Sequence, residues 1–165
     1  MHPTHIPIRV ATGAYILNSG LSKLGADRET AEGLHGMAST AYPFLKNVKP
    51  KDFTELLAYG EIALGTVLLA PMVPSVVAGT ALAGFGTGLV GMYLKVPGLT
   101  QADGIRPTQQ GTPIAKDVWL VGAGITLATQ GALGAAKSAA KSAKGSVKHM
   151  ASDISSTTKD ALPFG

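Results

Sequence analysis

The chain has 165 residues, of which 21 are Gly, 45% are hydrophobic and only 15% are charged, against about 25% charged in ordinary globular domains. That balance, with a mean hydropathy of +0.24, is too apolar and too charge-poor for a disordered segment. Zero Cys excludes disulfides, thiolate metal sites, iron–sulfur ligation and cysteine nucleophiles, and a net charge of +4 favours nucleic acid only where basic groups cluster on a folded face.

The charges are unevenly spaced. Residues 62–94 form a charge-free run of 33 positions, and residues 118–136 form another of 19. A bilayer core of about 30 Å takes about 20 helical residues. A first span is predicted over 6–24, with Arg9 and Lys23 near its ends, where long cationic side chains reach headgroups. It reads as a retained span and not a signal peptide, because more membrane-type sequence follows it. Over 26–45 the charged residues Asp27, Arg28, Glu29 and Glu32 forbid a span. Asp27 is an expected N-cap, and Leu34, Met37, Ala38, Ala41 and Leu45 share one face of an interfacial helix. Tyr42, Phe44, Lys46, Lys49 and Lys51 read as interfacial anchors, with Tyr93 and Trp119 at the same level.

A second span is predicted over 53–70. Pro71-Met72-Val73-Pro74 then forms a tight turn, since each ring removes a donor and disfavours helix just before it. The third span covers 75–94, a Pro-containing irregular cover follows over 95–116, and the fourth span covers 115–133. The fold class is thus all-α: a four-transmembrane-helix bundle over 1–133 with an interfacial helix after the first span. A basic Lys/Ala-rich helical tail occupies 134–165. Its Lys137, Lys141, Lys144 and Lys148, spaced 4, 3 and 4, form one stripe beside a weak apolar stripe of Ala140, Ala143, Val147, Met150 and Ile154. The tail reads either as a solvated extension of the fourth span or as a surface helix whose lysines contact anionic lipid headgroups. Lacking aromatic or Arg interleaving, it does not suit nucleic acid. Six Lys and Arg lie on the side of the termini and eight on the other, so charge alone does not orient the chain. Termini in the cytoplasm are expected because a Lys-rich tail is costly to translocate.

Gly86-Thr87-Gly88-Leu89-Val90-Gly91 matches the G-x-G-x-x-G pattern, but that chemistry needs a strand before it and a helix opening after it. Inside an apolar span, Gly84, Gly88 and Gly91 instead read as a small-residue face for helix packing. His2, His5, His35 and His149 have no carboxylate at metal-binding helical spacing, so no metal site is expected. Glu61 is the informative polar residue, since an intramembrane carboxylate faces a partner or a cavity. Lys23 is its expected partner, with Asn18 and Ser22 nearby, and Lys116, Asp117 and His35 completing a polar cluster. Two roles stand for that cluster: an ion pair fixing helix register, or a site for a small molecule, a quinone headgroup or a proton.

The stretches Arg9-Val10-Ala11-Thr12-Gly13 and Asn18-Ser19-Gly20-Leu21-Ser22-Lys23-Leu24 resemble the first span of DoxX-type small integral membrane proteins. Glu61-Ile62-Ala63-Leu64-Gly65 and Ile114-Ala115-Lys116-Asp117-Val118-Trp119-Leu120 resemble later spans, especially of actinobacterial members. The resemblance covers about residues 6–133. It implies a four-helix bundle in a bacterial cell membrane, with Asn18, Gly20, Lys23 and Glu61 at the family's recurring polar and glycine positions. Some members are small subunits of quinone-linked sulfur oxidation enzymes, and others accompany redox-defence proteins. The resulting expectation is a non-catalytic accessory or anchor subunit of a membrane redox or respiratory assembly, contributing to a quinone or lipid site beside larger subunits. The alternative is a self-contained, homo-oligomeric module that binds or transports a small amphipathic molecule or lipid. No nucleophile–base pair supports an enzyme acting alone.

Overall fold

The computed structural model describes residues 3–160, with side chains through residue 151. His2, residues 161–165 and the side chains of Ile154 and Lys159 lie outside the described residues. The helices are α1 (Ile6–Lys23), α2 (Arg28–Ala41), α3 (Pro50–Leu69), α4 (Ser75–Lys95), the single turn α5 (Thr112–Ala115) and α6 (Val118–Asp160). Short 3-10 turns, Pro3–His5 and Pro43–Asn47, precede α1 and α3. Prolines pre-organise several starts, because a ring in the first turn removes only a donor that would have no intrahelical partner. Asp27 caps α2 as expected, its side chain accepting from the Thr30 amide at 2.9 Å. The helix boundaries of α1, α3 and α4 follow the charge gaps and the Pro turn closely. The fourth does not stop where the apolar run ends: α6 continues as one helix of 43 residues, its Ala and Lys favouring helix and no proline interrupting it.

The main helices pack as two antiparallel pairs, α1 with α3 and α4 with α6. Each helix brings two small residues seven positions apart to its partner: Gly13 and Gly20, Ala58 and Gly65, Gly79 and Gly86, Gly124 and Gly131. Seven residues make almost two turns, so each couple shares a face. A Cβ added at Gly20 would sit 2.7 Å from the Ala58 carbonyl oxygen, and one at Gly131 would sit 2.7 Å from the Val76 nitrogen. Backbones approach this closely only where side chains are absent. Ile16, Leu64, Leu68, Ala78, Leu82, Leu120 and Leu127 then join the two pairs in one core. α2 lies across α3 and α4, burying Ala31, Ala38 and Ala41.

One buried side chain ties the open end together. Arg9 is 1% exposed, and it does not reach for headgroups as its position near a helix end suggested. Its Nε donates to Leu68 O at 2.7 Å, Nη2 to Val67 O and Ala70 O at 2.9 and 2.8 Å, and Nη1 to Val73 O and Ser75 Oγ at 2.9 and 3.4 Å. All five guanidinium donors are used. They meet carbonyls that α3 leaves without intrahelical partners at its negative end, and they fix the Pro turn into α4. His5 Nδ1 lies 2.8 Å from the same Ser75 hydroxyl. At the other end, Tyr42 donates to Gly88 O at 2.8 Å beneath the Lys95 ammonium, and Tyr93 donates to Ile105 O at 2.6 Å, anchoring the cover. Within that cover, the Arg106 side chain and backbone amides hold the Asp103 carboxyl below its ordinary range.

Among the described residues two helices, α4 and α6, are long and apolar enough to cross a membrane. Substituting Arg9→Met strands several carbonyls, and is expected to lower stability in detergent by about 3 kcal/mol or more, read from thermal unfolding. Gly124→Val is expected to cost about 1–3 kcal/mol by forcing α4 and α6 apart. Gly84→Val, on an open face, is expected to stay within about 0.5 kcal/mol in the same measurement.

Candidate functional site

The ion pair expected from sequence is present. Lys23 Nζ lies 2.8 Å from Glu61 Oε2, with the two side chains only 17% and 6% exposed. Lys23 is the last residue of α1 and Glu61 sits mid-way along α3, so the antiparallel pairing of those helices sets the contact. The remaining Lys23 donors go to Ser19, to its carbonyl at 3.2 Å and its hydroxyl at 2.7 Å. Ser19 therefore takes the place expected for Asn18 and Ser22. Asn18 is exposed, and Ser22 is exposed and donates to the Ser19 carbonyl. Lys23 and Ser19 are four apart, a spacing that alone would have marked the pair.

Asp117 joins this cluster through space. It lies beside Lys116 and near enough to Glu61 for the two carboxylates to repel. His35 does not complete the cluster. It makes a 3.0 Å hydrogen bond to Leu45 O and packs edge-on against Phe53, bracing α2 over the start of α3.

Lys116 and Asp117 border a groove of 690 Å³ between α1 and α6. One wall is Ile8, Ala11, Thr12 and Tyr15; the other is Val118, Trp119, Leu120, Gly122, Ala123 and Thr126. The α1 residues recur at spacings of 3, 1 and 3 and so share one helical face, the signal by which this wall was legible but was not singled out. The α6 wall is open because Gly122 has no side chain and a Cβ there would meet nothing within 4 Å. Trp119, read from sequence as a belt residue, is 77% exposed along this wall. The volume lies within the range of about 300–1,000 Å³ typical of ligand clefts, and the lining has their usual form of apolar walls with few polar groups.

The glycines expected to pack helices divide. A Cβ added at Gly84 or Gly88 would meet nothing within 4 Å, although the Gly88 carbonyl accepts from Tyr42. Gly91 is closed by the Tyr42 hydroxyl. Intrachain packing falls instead to Gly79 and Gly86, on the other side of α4, because glycines occupy both faces and composition does not say which one meets α6. On the tail, Lys137, Lys141, Lys144 and Lys148 are all exposed. Lys137 lines a cleft of 800 Å³ at the bundle's end, with His5, the Pro turn and Gln130.

Among the described residues, no group of three His, Asp or Glu side chains is placed to hold a metal. What the arrangement offers chemically is an apolar slot with one carboxylate and one ammonium at its mouth, backed by a neutralised buried pair. No family model, curated protein or solved structure matches the chain.

Lys23→Met leaves Glu61 buried without its cation and is expected to destabilise the protein by about 3–5 kcal/mol. The double change Lys23→Met with Glu61→Met is expected to recover much of that loss. Equal destabilisation by the single and double variants in thermal unfolding would show that the pair acts otherwise.

Proposed function

We propose that this protein is a small, non-catalytic integral membrane module whose α1/α6 groove holds the apolar chain of an amphipathic molecule, a lipid or a quinone. The observation that carries this reading is the groove, with Lys116 and Asp117 at one end of apolar walls. Four spanning helices, α1, α3, α4 and α6, are part of the proposal. Only 28% of the apolar window of α4 and 17% of that of α6 is buried within the chain, whereas the core helix of a soluble protein turns such surface inward. The charges deep in α1 and α3 are internally satisfied, Arg9 by five acceptors and Lys23 by Glu61, while the exposed Lys51, Asp52 and Glu55 sit in the first turns of α3. Satisfied charges of this kind are the form in which ionisable groups persist in a bilayer. Their 18 and 20 residues reach about 27 and 30 Å. A cytoplasmic location for the termini belongs to the same reading, on the cost of translocating the lysines.

A second reading, an accessory or anchor subunit of a membrane redox assembly, draws on the DoxX resemblance and on one observation. The Gly84 and Gly88 side of α4 is open to a further helix, and small residues are where membrane helices associate. The two readings are compatible if a larger subunit and the groove share the amphipath.

Extraction in mild detergent followed by native mass spectrometry tests both. The groove reading expects a retained lipid or quinone mass, reduced about tenfold in occupancy by Gly122→Phe, a loss equivalent to about 1.4 kcal/mol. A ligand-free protein, or retention unchanged in that variant, would overturn it. Defined heterologous subunits would establish the accessory role, and a clean multiple of 16.8 kDa would remove it.

A further inference from the structure

The mouth of the groove has a charge arrangement that selects among amphipaths, and the following inference rests on the groove reading above. Two ionisable groups, Lys116 and Asp117, border the groove, and Glu61 of α3 lies near enough to act on Asp117. Lys23 of α1 and Glu61 of α3 are committed to each other at 2.8 Å. Lys116 and Asp117, in the turn between α5 and α6, have no side-chain hydrogen bond or ion pair among the described residues, not even with one another. Asp117 is half-buried while Lys116 is exposed. Burial disfavours the charged form of Asp117, the neighbouring Lys116 charge offsets part of that, and Glu61 adds a smaller penalty, so a further cation beside this half-buried carboxylate is favourable.

We infer that the groove binds a zwitterionic aminophospholipid of the ethanolamine type, its primary ammonium donating to Asp117, its phosphate accepting from Lys116, and one acyl chain lying between α1 and α6. The alternatives fail on charge. A fatty acid or a phosphatidylglycerol offers Lys116 an anion but gives Asp117 no cation. A simple cationic amphipath leaves Lys116 facing a like charge. A choline head has the right net charge but no N–H, so it cannot supply the hydrogen bond that Asp117 lacks, whereas a primary ammonium carries three donors. A serine head adds a carboxylate beside Asp117 and Glu61. Below the head, Ile8, Thr12 and Tyr15 face Gly122, Ala123 and Thr126, a slot wide enough for a chain because Gly122 leaves it open.

Trp119 is the only Trp and lines this slot, so it reports occupancy directly. The full chain is reconstituted in phosphatidylcholine vesicles containing a graded mole fraction of one brominated tracer lipid. The tracers share their acyl chains and carry ethanolamine, choline or glycerol heads. The expected result is quenching of Trp119 by the ethanolamine tracer at about one-tenth the mole fraction needed for the other two. Asp117→Asn is expected to erase that preference over choline while acyl quenching persists, and Lys116→Gln to weaken all three tracers, since each carries the phosphate. Equal quenching by all three tracers in the unmodified protein, or preference for glycerol, would overturn the headgroup inference without any variant needing to fold. If Gly122→Phe leaves quenching unchanged, the Trp is sensing bulk lipid and the groove reading itself fails.

Discussion

The guanidinium of Arg9 solves a problem created by the Pro turn. Residues 71–74 break the helix sharply, leaving carbonyls at the end of α3 without amide partners in a region where neighbouring sequence is apolar. Such carbonyls are costly when water is excluded. Arg9 supplies five donors from another helix, and its positive charge faces the negative end of the α3 dipole. Because the donors come from the start of α1, the same contact fixes where α1 lies along α3. That register then brings Gly13 against Leu68 and Gly20 against Ala58, and it sets Lys23 opposite Glu61. The cation at one end of α1 and the ion pair at the other are thus two points of one alignment.

Close backbone approach is the second constraint. The seven-residue couples of small residues let α1 meet α3, and α4 meet α6, at distances that larger side chains would forbid. Tight pairing within each couple has a consequence for the space between them. α1 and α6 belong to different pairs, and the gap between them is the groove. The slot is therefore a by-product of where glycines permit contact and where they do not. Its polar end is the turn before α6, where Lys116 and Asp117 lie within the electrostatic reach of Glu61.

Most of the secondary structure was legible along the chain. Charge gaps located the long helices, Asp27 announced α2, and two prolines three apart marked the turn. The Lys23–Glu61 pair was legible too, since an apolar segment holding a carboxylate demands a nearby cation. Arg9 was misjudged because a cation near a helix end has two solutions, reaching outward to headgroups or inward to carbonyls, and sequence spacing is the same for both. His35 and Asn18 were misplaced for a similar reason: a polar residue one or two turns from a buried carboxylate lies near it only if the helix is rotated suitably. The open side of Gly84 and Gly88 depends on which face of α4 meets α6, and α4 carries glycine on both.

The sequence by itself determined an all-helical chain, the limits of α1, α3 and α4, the Pro turn and the Lys23–Glu61 pair, because hydropathy, proline sterics and charge burial act locally or pairwise. Only the tertiary structure decided the inward turn of Arg9, the choice of Gly79 and Gly86 over Gly84 and Gly88, and the groove with the free Lys116–Asp117 mouth. Each of these depends on the rotation and register of one helix against another. Those are set jointly by many contacts distant in sequence, and no local spacing encodes them.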